Sequence, residues 1–404
     1  MTAGDFYARF GVRRRINAAG ARTRLGGMPM APEVTNAMVE ASRGSIDIAE
    51  LQSAASRIVA AVTGAEAGMV TTGASAALTL AAAACMTGWD VARMAALPDA
   101  STFPREILLP RTHRTAYAQA LRTAGARLID IGHNDRGTGA GVRGLEPWEI
   151  EAAITPATAA FMFAATPATT HDLPMVVATC RVRGLPVIVD AAAQLPPKGN
   201  LRRFFELGAD LVAFSGGKAI GGPQASGILA GRRDLVGAAL LQQLDMDVPP
   251  DSWDPPSPID RAALRGVPHH GIGRGFKAGK EEIVGLLVAL ERFVAADDAA
   301  NNAGLEARLR AIGERLAGKS GLKGMLRTAQ VTGRTPLFEL VVDSAQTGVD
   351  APGLARRLLA GDPPVHLSER RSAEGILLLD PQALAPSDDA PLVAAILAAL
   401  DDRT

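Results

Sequence analysis

Between residues 68 and 230, short apolar runs alternate with segments of helical period, and this alternation limits the folds open to the chain. The runs are Gly68–Thr71, Ile107–Leu109, Arg127–Ile131, Ala159–Ala164, Pro186–Asp190, Leu211–Phe214 and Gly227–Ala230. Between most of them lie Ser75–Met86, Tyr117–Thr123, Pro147–Ala153, Pro174–Arg183 and Leu201–Leu207, whose apolar residues recur at helical spacing. A strand that meets water on one side alternates apolar and polar residues. Most of these runs do not, so both of their faces are covered. Strands and helices in turn predict an α/β fold with a mostly parallel sheet between helices. Ligands of such a sheet bind beyond the carboxyl ends of its strands. The residues directly after each run are therefore the first to inspect.

The chain changes character at Met246–His270, where Pro249, Pro250, Pro255, Pro256, Pro258 and Pro268 predict irregular structure. Beyond it come a long helical pattern, Glu281–Ala295, and then Leu305–Leu316, Thr335–Val342, Gly353–Leu359, Gly375–Leu379 and Pro391–Leu400. The expected organisation is a large domain over 45–275 and a smaller C-terminal α/β domain over 276–404, with residues 1–44 packing on the smaller one. A chain of 404 residues can bury such cores without staples. Its two cysteines, Cys85 and Cys180, read as buried small hydrophobes. The 42 Lys and Arg balance 42 Asp and Glu, which leaves no basic excess to displace counterions from a nucleic acid. No charge interrupts Ala67–Trp89, but Thr71, Thr72, Gly73 and Ser75 do, so it reads as strand, turn and Ala-rich helix rather than a membrane span. The first residues lack an apolar leader pattern. The expectation is a soluble cytoplasmic protein with no nucleic-acid or membrane partner.

Two strand ends carry chemistry. Pro186–Asp190 ends in a carboxylate, and Leu211–Phe214 is followed by Ser215, Gly216, Gly217 and Lys218. The spacing, 218 − 190 = 28 residues, is one helix plus one strand, so both side chains can reach one rim of the sheet. A lysine among small residues at a strand end suits a Schiff base. Its amine must be desolvated enough to be partly neutral and free enough to reach an aldehyde carbon. A buried aspartate can hold a pyridine nitrogen protonated, which makes pyridoxal 5'-phosphate (PLP) an electron sink. The plain alternative is a surface lysine in a glycine turn and an aspartate that caps the next helix. A third element is strand, glycine turn and helix start at Met69–Ser75, where Ser75 is placed to cap the helix. Its first free N–H groups suit a phosphate ester.

The run Phe214-Ser-Gly-Gly-Lys218-Ala-Ile-Gly-Gly-Pro-Gln-Ala-Ser-Gly227 resembles the PLP-lysine segment of the L-seryl-tRNA(Sec) selenium transferase family, and is similar to that of the related D-glucosaminate-6-phosphate ammonia-lyase group. Ile16–Thr23, Asp47–Gln52 and Gly271–Glu282 resemble other segments of these proteins in the same order. The resemblance implies the aspartate-aminotransferase fold, PLP fold type I, in homodimers or larger assemblies with active sites at subunit interfaces. It implies that Lys218 carries the Schiff base and that Asp190 meets the pyridine nitrogen. Gly73, Ala74 and Ser75, with Ser215, would hold the phosphate. His113 would stack on the ring, and Gln194, four residues past Asp190, would approach the cofactor. Arg274, Lys277 and Lys280 form a basic cluster for phosphate or substrate carboxylate, or else a solvated helix start. Arg370 and Arg371 are placed to grip a carboxylate, or else form a solvated loop pair.

The chain departs from the transferase pattern. Only 15 residues precede Ile16, where the transferase has a tRNA-binding region, and Gly217 stands where it has an acidic residue. Gly271, Gly273 and Gly275 lack the strand and spacing of a dinucleotide loop, and His269 and His270 are adjacent, so no metal is expected. The expected function is a PLP-dependent lyase acting on a small hydroxy amino acid or amino sugar acid. Lys218 would abstract the α-proton, and β-elimination would give a 2-keto acid and ammonia. Racemase, aldolase and aminotransferase chemistries share the same carbanion. A non-catalytic PLP-binding protein and a tRNA-dependent selenium transferase are further alternatives.

Overall fold

The computed structural model describes residues 5–133 and 145–401. It divides into a larger unit, residues 30–294, and a smaller one built from the chain on either side. Strand β1 (Ile16–Ala18) belongs to the smaller unit. The larger unit holds β2 (Ala67–Thr71), β3 (Glu106–Pro110), β4 (Arg127–Ile131), β5 (Thr158–Ala164), β6 (Val187–Asp190), β7 (Leu211–Ser215) and β8 (Gly227–Gly231). These form one seven-stranded sheet in the order β2-β8-β7-β6-β5-β3-β4. Strand β8 is antiparallel to both neighbours, and every other pair is parallel. The carboxyl ends of β2, β7, β6, β5, β3 and β4 therefore share one edge. The mostly parallel α/β sheet expected from the sequence is present.

Side chains leave the two faces of a strand alternately, so each buried run feeds two cores. Met69, Ile107, Leu109 and Ile188 enter one cluster, with Ala77, Leu80 and Ala81 of the helix Ala74–Thr87. Val70, Leu108, Phe161, Phe163, Val187 and Val189 enter the other, under the helices Ile48–Thr63 and Leu173–Val182. The uncharged stretch Ala67–Trp89 folds as β2 and the helix Ala74–Thr87. That helix is apolar all round because it is buried all round, with Ala77 and Ala81 to Ala84 at 0% exposure. Among the described residues, no helix is long and apolar enough to cross a membrane.

The smaller unit adds β9 (Leu322–Arg327), β10 (Leu337–Val342), β11 (Val365–Arg371) and β12 (Ile376–Leu379), in a sheet of order β1-β11-β12-β10-β9. Strand β1 pairs with β11 in parallel, Ile16 opposite Val365, and the other pairs are antiparallel. The helices Asp298–Leu316, Ala351–Ala360 and Asp389–Asp401 share its core through Leu309, Leu354 and Ile396.

The unit boundaries differ from the expected 44/45 and 275/276, because the helices Pro32–Ser42 and Lys280–Ala295 belong with the larger unit. The reason is packing. Val34, Ile283, Leu286 and Leu290 bury in the same cluster as Phe161 and Phe214, and Gly285 makes room for Met38 and Pro223. Phe161 fills the middle of that cluster at 0% exposure, whereas Val182 is 83% exposed. Phe161→Ala should cost about 3–5 kcal/mol of unfolding free energy. Val182→Ala should change it by less than about 0.5 kcal/mol, as urea melts of the two variants will show.

Candidate active site

The lysine loop begins where β7 ends. Its backbone doubles back on itself: Gly216 N–H donates to Ser226 O at 2.9 Å, Gly222 N–H to Gly216 O at 2.9 Å and Gly221 N–H to Lys218 O at 2.9 Å. Only glycine fits such a fold. A Cβ at Gly217 would lie 2.5 Å from the Gln224 Cα, and one at Gly216 would run into the Ser226 hydroxyl. This is the physical reason for the departure at position 217: the loop has no room there for an acidic side chain. Lys218 stands half-buried in this loop, in electrostatic contact with Asp190.

The turn Gly73–Ser75, expected to hold a phosphate, lies nearby on the same edge. Gly227, the first residue of β8, pairs with Ser215 at the end of β7 and with Thr71 at the end of β2. A Cβ on Gly227 would stand 2.5 Å from the Gly73 carbonyl carbon and 2.7 Å from the Ala74 nitrogen. Its absence lets the turn sit down between the two strand ends. The sequence did not single out Gly227 for this role, although a glycine opening a strand is a signal of close backbone approach. Gly73, not Ser75, is the N-cap of the helix Ala74–Thr87; its φ of 107° lies in the left-handed region, and no side chain caps the helix. Ser75 is exposed inside the first turn, where its carbonyl accepts the Thr79 hydroxyl at 3.1 Å. The expected Ser75 cap is thus corrected. The first-turn amides of this helix are available to an anion.

Asp190 closes β6 between β5 and β7, opposite Ala164 and Ala213. Burial pushes its carboxyl above the ordinary range, opposed by the Ala192 N–H, which donates to Oδ1 at 3.0 Å, and by the charge of Lys218. His113 follows β3 in a short turn and is 7% exposed, its ring edge-on to Phe163 at 4.7 Å. Burial lowers its pKa from 6.5 to about 4, so the ring is neutral around neutrality. Its Nδ1 is buried without a partner. Gln194 is 8% exposed; its backbone bonds Ala191 and Asn200, and among the described residues its carboxamide has no protein partner. A carboxylate and an imidazole, both desolvated and under-partnered at one strand edge, fit a protonated pyridine ring whose phosphate meets the helix start. Asp190, His113 and the turn Gly73–Ser75 have the chemistry to hold PLP.

The expected cations divide. Lys280 gives its three donors to the carbonyls of Ala41, Ser42 and Gly44, at 2.8, 3.1 and 2.7 Å, where the helix Pro32–Ser42 ends. Arg274 pairs with Asp245 at 2.7 Å. Within the single chain both charges are thus engaged by neighbours in the fold. Asp245 also stands with Asp247 and His270 in an exposed group of close ligand atoms, where the Arg274 charge disfavours a metal ion. Lys277 is exposed and, among the described residues, makes no hydrogen bond or ion pair. In the smaller unit, Arg371 is committed to Glu339 at 2.7 Å and Glu374 at 2.7 Å, whereas Arg370 is exposed and unpaired among the described residues.

Two outcomes follow from this geometry. A histidine buried neutral stabilises the fold fully above its unfolded pKa, and that contribution is lost as pH falls. Wild-type protein should therefore lose melting temperature between pH 6.5 and 4, and His113→Phe should lose less over the same window. Lys280→Met should lower stability by about 1 kcal/mol through its lost carbonyl contacts, with PLP affinity unchanged in an absorbance titration.

A model of the L-seryl-tRNA selenium transferase family matches residues 175–247, the segment from the helix before β6 through the lysine loop to the helix after β8. The 5'-C-glycyluridine monooxygenase-decarboxylase of a Streptomyces species is 33% identical over 96% of this chain and 90% of its own. The D-glucosaminate-6-phosphate ammonia lyase of Salmonella typhimurium is 28% identical over 96% of each chain. A solved structure of D-glucosaminate-6-phosphate ammonia-lyase superposes with a TM-score of 0.82 at 28% identity, covering 99% of both chains. The sheet, the lysine loop and the phosphate turn thus sit in an aspartate-aminotransferase-like frame, and the chain belongs to the selenium transferase-like family of PLP-dependent fold type I enzymes, the ammonia-lyase among them.

Proposed function

We propose that the enzyme is an ammonia-lyase that removes the α-proton of a small hydroxy amino acid or amino sugar acid and eliminates its β-hydroxyl. The observation that carries the reading is the buried, under-partnered carboxylate of Asp190 in electrostatic contact with Lys218 on one strand edge. When bound, PLP supplies an electron sink for the carbanion formed at the α-carbon. Lys218 is its covalent anchor, and the Nζ of Lys218 takes the α-proton. Asp190 accepts from the protonated ring nitrogen and so holds the sink in its active charge state. Gly73, Ala74 and Ser75 hold the phosphate through the amides of the first helical turn, with Ser215 beside them. His113 would cover the ring and exclude water, and Gln194 would offer its carboxamide to the cofactor. Lys277 would meet an anionic group of the substrate. The β-carbon–oxygen bond would break as the proton held on Lys218 Nζ passes to the hydroxyl, which leaves as water; the released enamine would tautomerise to an imine, which one water hydrolyses to a 2-keto acid and ammonia. The reading includes a homodimer or larger assembly, in keeping with fold type I.

A second reading is favoured by the 33% identity with a monooxygenase-decarboxylase. In it the same carbanion chemistry is coupled to oxygen, and carbon dioxide is released. One experiment separates the two. The holoenzyme is offered D- and L-amino acids and 2-amino sugar acids, with and without oxygen, while keto acid, ammonia, oxygen uptake and carbon dioxide are measured. Ammonia and keto acid without oxygen uptake support the lyase, and oxygen-dependent carbon dioxide release supports the second reading. Under either, borohydride should fix a pyridoxyl group on Lys218, and Asp190→Ala should lower turnover by at least about 100-fold. An adduct mapped to another lysine, or near-normal turnover in Asp190→Ala, would overturn the site.

A further inference from the structure

Strand β2 lies at the edge of the seven-stranded sheet, so one side of its backbone has no strand neighbour. Val70 is nevertheless 0% exposed. A buried edge of this kind must find hydrogen-bond partners elsewhere. At Gly68 the partner is the Ser56 hydroxyl, at 3.1 Å; at Val70 one side chain serves both groups, the Val70 N–H donating to Gln52 Oε1 at 2.9 Å and Gln52 Nε2 donating back to Val70 O at 2.8 Å. Gln52, 0% exposed on the helix Ile48–Thr63, stands where another strand would.

The bonds continue. The backbone of Val70 fixes which end of the Gln52 carboxamide is the donor, and the remaining N–H points to Gln243 Oε1 at 3.2 Å. That orients Gln243 in turn, whose Nε2 donates to Phe276 O at 3.0 Å. The same carbonyl accepts the Thr72 hydroxyl at 3.1 Å. Thr72 is the residue before Gly73. The chain of bonds thus leaves β2 at Val70 and returns at Thr72, closing a ring directly before the turn. Gln243 is 4% exposed, so water competes poorly for any link. Glutamine is required at both positions because each link needs a donor and an acceptor on one planar group.

We infer that Gln52 and Gln243 are positioning residues for the phosphate turn. They hold the first amides of the helix Ala74–Thr87 in register with the segment Ile272–Phe276. The inference rests on the reading that this turn binds the PLP phosphate. Gln52 and Gln243 act through the turn's backbone, so their effect is confined to ligands that carry a phosphate.

The test compares PLP with pyridoxal, which has the ring and aldehyde but no phosphate. Both are titrated by absorbance into cofactor-stripped wild type, Gln52→Met and Gln243→Met, with thermal melts alongside. Each variant should bind PLP about tenfold more weakly, as the loss of a buried hydrogen-bond link implies, with pyridoxal affinity unchanged. The double variant should lose little more, because both residues belong to one chain of bonds. An unchanged preference for PLP over pyridoxal in folded variants, even with a lower melting temperature, would leave the pair a structural role only and overturn the inference. If Gln52→Met does not fold, Gln243→Met decides, since its carboxamide makes no bond to β2. Wild type that binds PLP no better than pyridoxal would overturn the phosphate-turn reading, and the inference with it.

Discussion

A carboxylate at the end of a buried parallel strand is the constraint around which the larger unit is arranged. The main chain of β6 is bonded by β5 and β7, and the Asp190 side chain accepts from the Ala192 N–H. Desolvation makes its charge costly unless a cation is brought to it. Lys218 supplies part of the opposing field from the end of the adjacent strand. On the proposed reading a protonated ring nitrogen would complete it. Burial keeps the His113 ring uncharged, as a flat cover beside such a cation requires.

Family membership leaves the reaction open, because a common carbanion can be steered to different products by the groups around it. Here the free choices are few. Arg274, Lys280 and Arg371 are spent on neighbouring carboxylates and carbonyls. Among the described residues, Lys277 of the larger unit and Arg370 of the smaller one are left without such partners.

Much of the large sheet was legible because its strands are apolar on both faces, a pattern that needs no knowledge of partners. The meeting of Asp190 and Lys218 was legible for the same reason: both stand where an apolar run stops. The partners of Arg274 and Lys280 were not, because they lie 29 and up to 239 residues away in the chain. Sequence shows a charge but not the carbonyls that will meet it. Ser75 misled because its type suits a cap, whereas the positive φ of Gly73 moved the cap two residues earlier. Strand β9 escaped notice because Lys323, Gly324 and Met325 face solvent and leave no apolar run, and β1 because it is only three residues long.

Five alanines of the helix Ala74–Thr87, Ala77 and Ala81 to Ala84, are fully buried beside Leu78, Leu80 and Met86. The helix therefore meets its core partly through methyl groups, the smallest possible spacers. A larger side chain at Ala84 would push the helix from its neighbours, and a hydrogen-bonded rod does not bend to absorb the strain. Ala84 lies ten residues from Ala74, about 15 Å along the axis. Crowding at one end would be delivered as a displacement of the amides at the other. On the proposed reading of the turn, the helix works as a gear between core volume and anion grip, and the hold on a phosphate would drift through changes at positions that never approach it.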